Sequence, residues 1–295
     1  LNKSNLAFMI KKYLNIGCGG KFHKDWTNID IVSFSPEVKS FNILKGIPFS
    51  ENTFEAVYHS QVLEHIPTDK LDFFIAECFR VLKPGGIIRI STPDLESIAK
   101  LYIKWLDHNI ETFGKDLEGV ANYEWMKIEM YDQIARNKSG GEMWPFLKSL
   151  NFDQHQFIAG RIGEHLVKEL TKPEKSRKEH VKNIIMNLLN PRKIIYLLTH
   201  NSLFTLIRGL ITHLLPNKSN LRIGLFRTGG EVHYSMFDRF SLNNLLSKHG
   251  FKYVCLKNLY ESSIPDFHKY ELEIKNSIPY DTVSLFMEAI KTQNK

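Results

Sequence analysis

Cysteine is scarce in this 295-residue chain: Cys18, Cys78 and Cys255 stand far apart. They make no disulfide framework and show no metal-ligand spacing, which fits a reducing cytoplasm and gives no reason to expect a metal centre. No run of about 18 apolar residues occurs, so no segment is expected to span a bilayer. The early apolar run Leu6-Ala7-Phe8-Met9-Ile10 is too short for the core of a signal peptide. Internal repeats and low-complexity tracts are lacking. From about Leu95 to Phe226 a strand pattern is lacking too, so one sheet cannot run the length of the chain.

What is present is the composition of a globular protein, 43% hydrophobic and 24% charged, enough for one large domain or a domain with an insertion. The net charge of +7 is uneven. Between Lys172 and Gly230 eleven Lys and Arg stand against Glu174 and Glu179, a surplus of +9, which leaves −2 for everything else. One segment carries the basicity.

The most informative stretch is Tyr13-Leu14-Asn15-Ile16-Gly17-Cys18-Gly19-Gly20. An apolar run ends in three glycines, and Asp30 follows at the end of a second apolar run, Thr27 to Ile31. Glycines at the carboxyl end of a buried strand allow a sharp turn and close approach of backbone to a ligand. An acid on the neighbouring strand can accept hydrogen bonds from two ribose hydroxyls. Strands are expected at 12–16, 26–31, 38–43, 54–59 and 87–91. A helix is expected at 71–82, where Leu71, Phe74, Ile75, Cys78, Phe79 and Leu82 share one stripe, and Lys83-Pro84-Gly85-Gly86 stops it. This alternation predicts a parallel sheet with helices on both faces. Helices are then expected at 95–107, 117–136, 156–170, 178–189 and 193–215. Alternation resumes after Gly229-Gly230 with a helix at 240–249 and strands at 251–256 and 282–290.

Leu14-Asn15-Ile16-Gly17-Cys18-Gly19, Asp30, Ile47-Pro48-Phe49 with Phe54-Glu55-Ala56-Val57-Tyr58, Val62-Leu63-Glu64-His65-Ile66 and Arg80-Val81-Leu82-Lys83-Pro84-Gly85-Gly86 together resemble the class I S-adenosylmethionine-dependent methyltransferases. Trp26-Thr27-Asn28-Ile29-Asp30 and Arg89 to Leu95 are similar to a bacterial branch associated with surface-polysaccharide biosynthesis. The resemblance covers 12–95 strongly, 229–290 moderately and the helical stretch poorly. It implies a Rossmann-like α/β sheet of seven strands, the last antiparallel, formed by 1–95 and 229–295, with 96–228 as a helical insertion after the fifth strand. It further implies that Gly17, Cys18 and Gly19 meet the methionine part of S-adenosylmethionine, that Asp30 holds the ribose, and that Ile31 packs on adenine. Asn42 and Ile43 fall where the family places an acid for the adenine amine, and His59 and Ser60 beside the methionine amine. Two departures stand out: Asn42 replaces the commoner Asp, and Lys21-Phe22-His23 follows Gly20 where many relatives carry a further glycine.

A sulfonium is a strong methyl donor, so the protein mainly aligns donor and acceptor, with a general base for a hydroxyl acceptor. Methyltransferases for exocyclic amines typically carry an Asn/Asp-Pro-Pro-aromatic run where this chain has His59-Ser60-Gln61-Val62, and no cysteine suits attack on a pyrimidine carbon. The candidate bases are His233, His155 and Asp94; histidine suits the role because its ordinary pKa is about 6.5. Glu64 reads as complementing a helix dipole and His65 as a capping or packing residue. The expected activity is O-methylation of a sugar or small acceptor in cell-envelope glycan synthesis, with a lipid or quinone acceptor at the membrane face, or cofactor binding without turnover, as the alternatives. The basic insertion reads either as a lid over the acceptor or as a peripheral contact with anionic membrane, which would put the protein at the inner membrane face of the cytoplasm. Its charge could also attract nucleic acid, but no recognisable nucleic-acid-binding module accompanies it, and nucleic acid is not an expected partner. Self-association is left open.

Overall fold

The computed structural model describes residues 11–33, 35–172 and 218–292. The five early strands are β1 (Tyr13–Ile16), β2 (Thr27–Asp30), β3 (Val38–Ser40), β4 (Phe54–Ser60) and β5 (Leu82–Pro93). After the helical stretch come β6 (Phe251–Lys257) and β7 (Ser284–Lys291). They form one sheet in the order β3-β2-β1-β4-β5-β7-β6. The first five run parallel, and β7 runs antiparallel between β5 and β6. This is the seven-stranded Rossmann-like sheet expected, with its single reversed strand. β5 starts earlier than expected, at Leu82, and takes in Lys83-Pro84-Gly85-Gly86; its register against β4 shifts between Phe54 and Ala56 to absorb the turn.

One face of the sheet follows the predicted pattern. Leu14, Ile16, Ile29, Val57, Ile88 and Ile90 point into a core closed by Phe74, Ile75, Cys78 and Val81 of α1 (Leu71–Val81). Leu242 and Leu246 of the helix Arg239–Lys248, which precedes β6, complete it. The other face departs from the expectation of helices on both sides. Only ten residues join β1 to β2, too few for a strand–helix–strand crossover, and they form a loop. Asn15 and Asn28, both buried, hold that loop: Asn15 Nδ2 donates to the Lys21 carbonyl at 3.0 Å, and Asn28 Nδ2 donates to those of His23 and Trp26 at 2.9 and 3.0 Å. The apolar surface thus left open, Tyr13, Trp26, Ala56 and Tyr58, is covered by the β6–β7 connection through Ile264, Phe267, Tyr270 and Leu272.

A buried ion network ties this strap to the sheet. Arg89 of β5 is fully buried; its Nη2 and Nε donate to Glu273 at 2.6 and 2.9 Å, and its Nη1 donates to Glu288 of β7 at 2.9 Å. It also donates to the carbonyls of Glu261 and Asn258. Glu288 accepts from Ser262 Oγ and Ser263 N besides. Every charge in the network has several partners, the condition under which a buried ion pair is tolerated.

Between β5 and the last helix, every element among the described residues is helical. These are α2 (Leu95–Glu111), α3 (Leu117–Ala135), α4 (Met143–Ser149), α5 (Gln156–Ile162), α6 (Glu164–Leu170) and α7 (Lys218–Arg227); Arg239–Lys248 is then α8. The expected helix over 156–170 is broken by Gly163, whose φ of +82° takes the chain out of helical geometry. Ile98, Trp125, Met126, Leu147, Phe152 and Ile158 give the insertion its own small core. The helices expected at 178–189 and 193–215, and with them most of the basic segment proposed as lid or membrane contact, lie outside the described residues. No helix among the described residues is long and apolar enough to cross a membrane.

Candidate active site

The carboxyl ends of β1, β2, β4 and β5 meet where the strand order reverses, the place at which open α/β sheets bind ligands. After β1 the chain turns at Gly17, with φ +63°, and its N–H donates to the Ile29 carbonyl at 2.8 Å. A side chain there would put Cβ 2.4 Å from Val62 Cγ2, so only glycine fits. At Gly19 (φ +51°) a Cβ would meet no atom within 4 Å, which leaves space above the backbone. Asp30 ends β2 with its carboxylate facing this loop. Its Oδ2 accepts from Gly19 N at 2.8 Å and its Oδ1 from Val32 N at 3.1 Å. Each oxygen keeps a lone pair, and the two bonds fix their directions. Ile31 beside it is 66% exposed, an apolar side chain without cover. A carboxylate with fixed lone pairs beside a bare aliphatic surface, over an open glycine turn, fits a purine nucleoside: hydroxyls on Asp30, ring on Ile31.

The remaining residues expected to meet the cofactor differ among themselves. Cys18 is buried, and desolvation together with the Asp30 charge pushes its thiol up to about 12, so it is inert. Asn42 Oδ1 accepts from Leu44 N at 3.0 Å and caps the short turn Ile43–Lys45, so the acceptor expected to meet the adenine amine already has one partner. Ile43 packs partly against the main core. Ser60 ends β4 at the edge. The His59 imidazole points into the core, 5.3 Å from the Phe74 ring, and neither ring nitrogen has a partner. Burial lowers its pKa to about 3. Alternation along β4 sends side chains 57 and 59 to the helix-covered face, so only the backbone of His59 can serve the cofactor edge.

Beside this edge lies a small enclosed cavity of about 100 Å³. Gln61 and Asp94 come from the strand ends, Glu129 and Gln133 from α3, Asp281 from the end of the strap, Ser284 from the start of β7, and His233 from the segment after α7. Gln61 is held in the left-handed region at φ +55°, unusual for a residue with a side chain. Its N–H donates to the Ser91 carbonyl, and its amide donates to Asp281 Oδ2 at 3.1 Å and Ser284 Oγ at 2.7 Å. Backbone strain sustained by that many bonds is a mark of functional sites.

Two of the three expected bases reach this cavity. Asp94 caps α2 by accepting from Glu96 N at 3.0 Å, and burial raises its pKa, which improves it as a proton acceptor near neutrality. His233 is 4% exposed. Burial, with His65 and Arg136 nearby, lowers its pKa to about 3, so it stays neutral and takes protons poorly. His155, at the start of α5, is absent from the cavity lining, and its Nδ1 is buried without a partner. Sequence reasoning gives Glu64 a helix-dipole role and His65 a capping or packing role, and neither a place in the site. Glu64 sits in the single turn Leu63–His65, not at the start of a long helix, and is fully buried. Desolvation raises its pKa to about 7. The signal was faint, because the partner that brings the pair into the site, the 232–234 segment, is about 170 residues away.

Residues 14–90 match the family model described as a methyltransferase domain. Over 194 residues the chain is 28% identical to the mouse mitochondrial ubiquinone biosynthesis O-methyltransferase, covering 52% of this chain and 51% of that protein. Over 156 residues it is 29% identical to wheat phosphoethanolamine N-methyltransferase 1, covering 43% and 31%. Among solved structures, phosphoethanolamine N-methyltransferase 2 of Haemonchus contortus in complex with S-adenosyl-L-methionine aligns over 97% of this chain and 49% of that one, at 12% identity and a TM-score of 0.33. The chain spans about half the length of the mouse relative and less of the wheat one. Residues 14–90 are thus a methyltransferase domain, and with the nucleoside-shaped edge at Gly19, Asp30 and Ile31 this assigns S-adenosylmethionine as its cofactor.

Proposed function

We propose that the whole chain is an S-adenosylmethionine-dependent O-methyltransferase acting on a sugar or another small polyhydroxylated acceptor. The observation that carries the acceptor class is the cavity beside the cofactor edge: Gln61, Asp94, Glu129, Gln133, Asp281 and Ser284 supply hydrogen-bonding side chains on several sides. Hydroxyls can bond the lone pairs that this lining still offers beyond its internal hydrogen bonds, whereas an isoprenoid tail makes no hydrogen bond to it. The sequence resemblance to a branch associated with surface polysaccharides extends the proposal to cell-envelope glycan synthesis.

Bound cofactor would supply an electrophilic methyl group; the chain's own residues do the rest. Asp30 and the Gly17–Gly19 turn fix the nucleoside end. Gln61, braced by Asp281 and Ser284, shapes the wall between cofactor edge and cavity. Asp94 is the group placed to take the acceptor proton. α2 and α3 wall the cavity through Ile98, Glu129 and Gln133. A phenolic acceptor is the second reading, favoured by the similarity to the mouse ubiquinone-biosynthesis enzyme.

The test is transfer of a labelled methyl group from S-adenosylmethionine by the purified chain to nucleotide-activated sugars, simple glycosides and dihydroxybenzoates. Product in the first two arms with none in the third supports the proposal. Transfer only to the dihydroxybenzoates replaces it with the phenolic reading. Cofactor binding without transfer to cell-envelope extract supports a non-catalytic binder.

A further inference from the structure

The structure assigns one more site to this chain: we propose that Glu64, His65 and His233 together bind a divalent transition-metal ion at the rim of the acceptor cavity. A carboxylate oxygen of Glu64 and one ring nitrogen from each histidine lie within 4.8 Å of one another. An ion with bonds of about 2.0–2.2 Å holds its ligand atoms roughly 3–4.4 Å apart, so a small side-chain rotation closes the set.

Each ligand is already oriented. Thr92 Oγ1 donates to Glu64 Oε2 at 3.1 Å, while Glu64 Oε1 is buried without a partner. His65 Nδ1 lies 3.2 Å from the Val232 carbonyl, which can only accept. Nδ1 therefore carries the proton and Nε2 keeps the lone pair a metal needs, the usual outer-shell arrangement of a ligating histidine. The main chain fixes the third ligand: His233 N–H donates to the Gln133 carbonyl at 3.0 Å, and Tyr234 N–H donates to the Glu64 carbonyl at 2.7 Å. The two rings meet edge to face, 4.6 Å apart. The adjacent cation, Arg136, is held by Asp132 at 2.6 Å and Glu231 at 3.2 Å. Asp94 and Asp281 add negative charge to the cavity that His233 lines.

Two imidazoles and one carboxylate select Zn²⁺, Mn²⁺, Fe²⁺ or Co²⁺ over Mg²⁺ and Ca²⁺, which prefer oxygen. Three protein ligands leave coordination positions open toward the cavity, where an acceptor hydroxyl would bind and become more acidic. That use of the ion rests on the acceptor reading above; its binding does not.

The experiment strips the full chain with chelator, titrates it with Co²⁺ by calorimetry and visible absorption, and titrates every sample with S-adenosylmethionine as a check on the fold. One Co²⁺ per chain is expected, with ligand-field bands, displaced by Zn²⁺ and not by Mg²⁺. Glu64→Gln and His233→Ala should each weaken binding at least 100-fold, Thr92→Val by about 10-fold, and His249→Ala not at all. Absence of stoichiometric Co²⁺ binding in a sample that takes up S-adenosylmethionine overturns the site, as does binding that survives Glu64→Gln and His233→Ala combined. Should either ligand variant lose its fold, Thr92→Val decides: unchanged affinity there also overturns it. Co²⁺ bound without any S-adenosylmethionine uptake refutes the methyl-donor reading alone.

Discussion

Replacing Asp30 with asparagine isolates the interaction proposed to hold the ribose of the cofactor. In the wild-type chain the two carboxylate oxygens accept from Gly19 N and Val32 N, at 2.8 and 3.1 Å. Their remaining lone pairs face outward, where a ribose diol would donate to them. Asparagine has one oxygen, so it can satisfy one backbone N–H while its NH₂ opposes the other. It also offers the diol a donor where an acceptor is needed. Two hydrogen bonds to a charged group contribute about 1.5–3 kcal/mol each. With one neutral bond retained, a net loss of about 3 kcal/mol is expected, or roughly a hundredfold rise in Kd at 1.4 kcal/mol per decade. Titration calorimetry with S-adenosylmethionine measures it, and thermal unfolding confirms that the variant is folded. A cofactor analogue lacking both ribose hydroxyls should bind the wild type about a hundredfold more weakly and lose nothing further in Asp30→Asn. A shift in Kd below threefold, or an analogue penalised equally in both proteins, would refute the assignment.

Two further outcomes test the fold around the site. Arg89→Met leaves Glu273 and Glu288 buried without their cation, so unfolding free energy in urea should drop by about 3–5 kcal/mol; a drop under 1 kcal/mol would mean the strap is held by its aromatic contacts alone. His59→Leu removes two unpartnered buried nitrogens and should stabilise the protein by about 1–2 kcal/mol at neutral pH. Because the folded-state pKa of His59 lies near 3, below its ordinary 6.5, the unfolded chain binds the extra proton between those values. Wild-type stability should therefore fall as pH drops through that window, and the variant's lead should widen by up to about 1.4 kcal/mol per pH unit. Equal slopes for the two proteins would show that the imidazole finds a partner in solution.

Much of this molecule is legible along the chain, and the parts that are not share a cause. The glycine turn at 17–19, Asp30, the stripe on α1 and the ends of most strands are local features, set by backbone freedom and by side-chain period. The break at Gly163 was equally local and was passed over only because apolar residues continue on either side. The uncovered sheet face could not be foreseen in the same way. The short β1–β2 joint excludes a helix there, but nothing in it names the aromatic strap more than 230 residues later that takes the helix's place.

The sequence by itself marked the glycine turn and Asp30 as the expected cofactor edge, since an apolar run ending in glycines and an acid closing the next run are local signals; the crowding by Val62 that admits only glycine at position 17 came from the fold. Tertiary structure decided the chemistry beside that edge. It turned His59 into the core by the alternation of β4, kept His155 out of the cavity, and buried His233 until it could no longer take up a proton near neutrality. It also carried the 232–234 segment onto the 63–65 turn, so that Glu64, read from sequence as complementing a helix dipole, became a buried carboxylate facing two imidazoles. Burial and proximity set charge and ligand geometry, and neither is a property of a residue until the chain has closed around it.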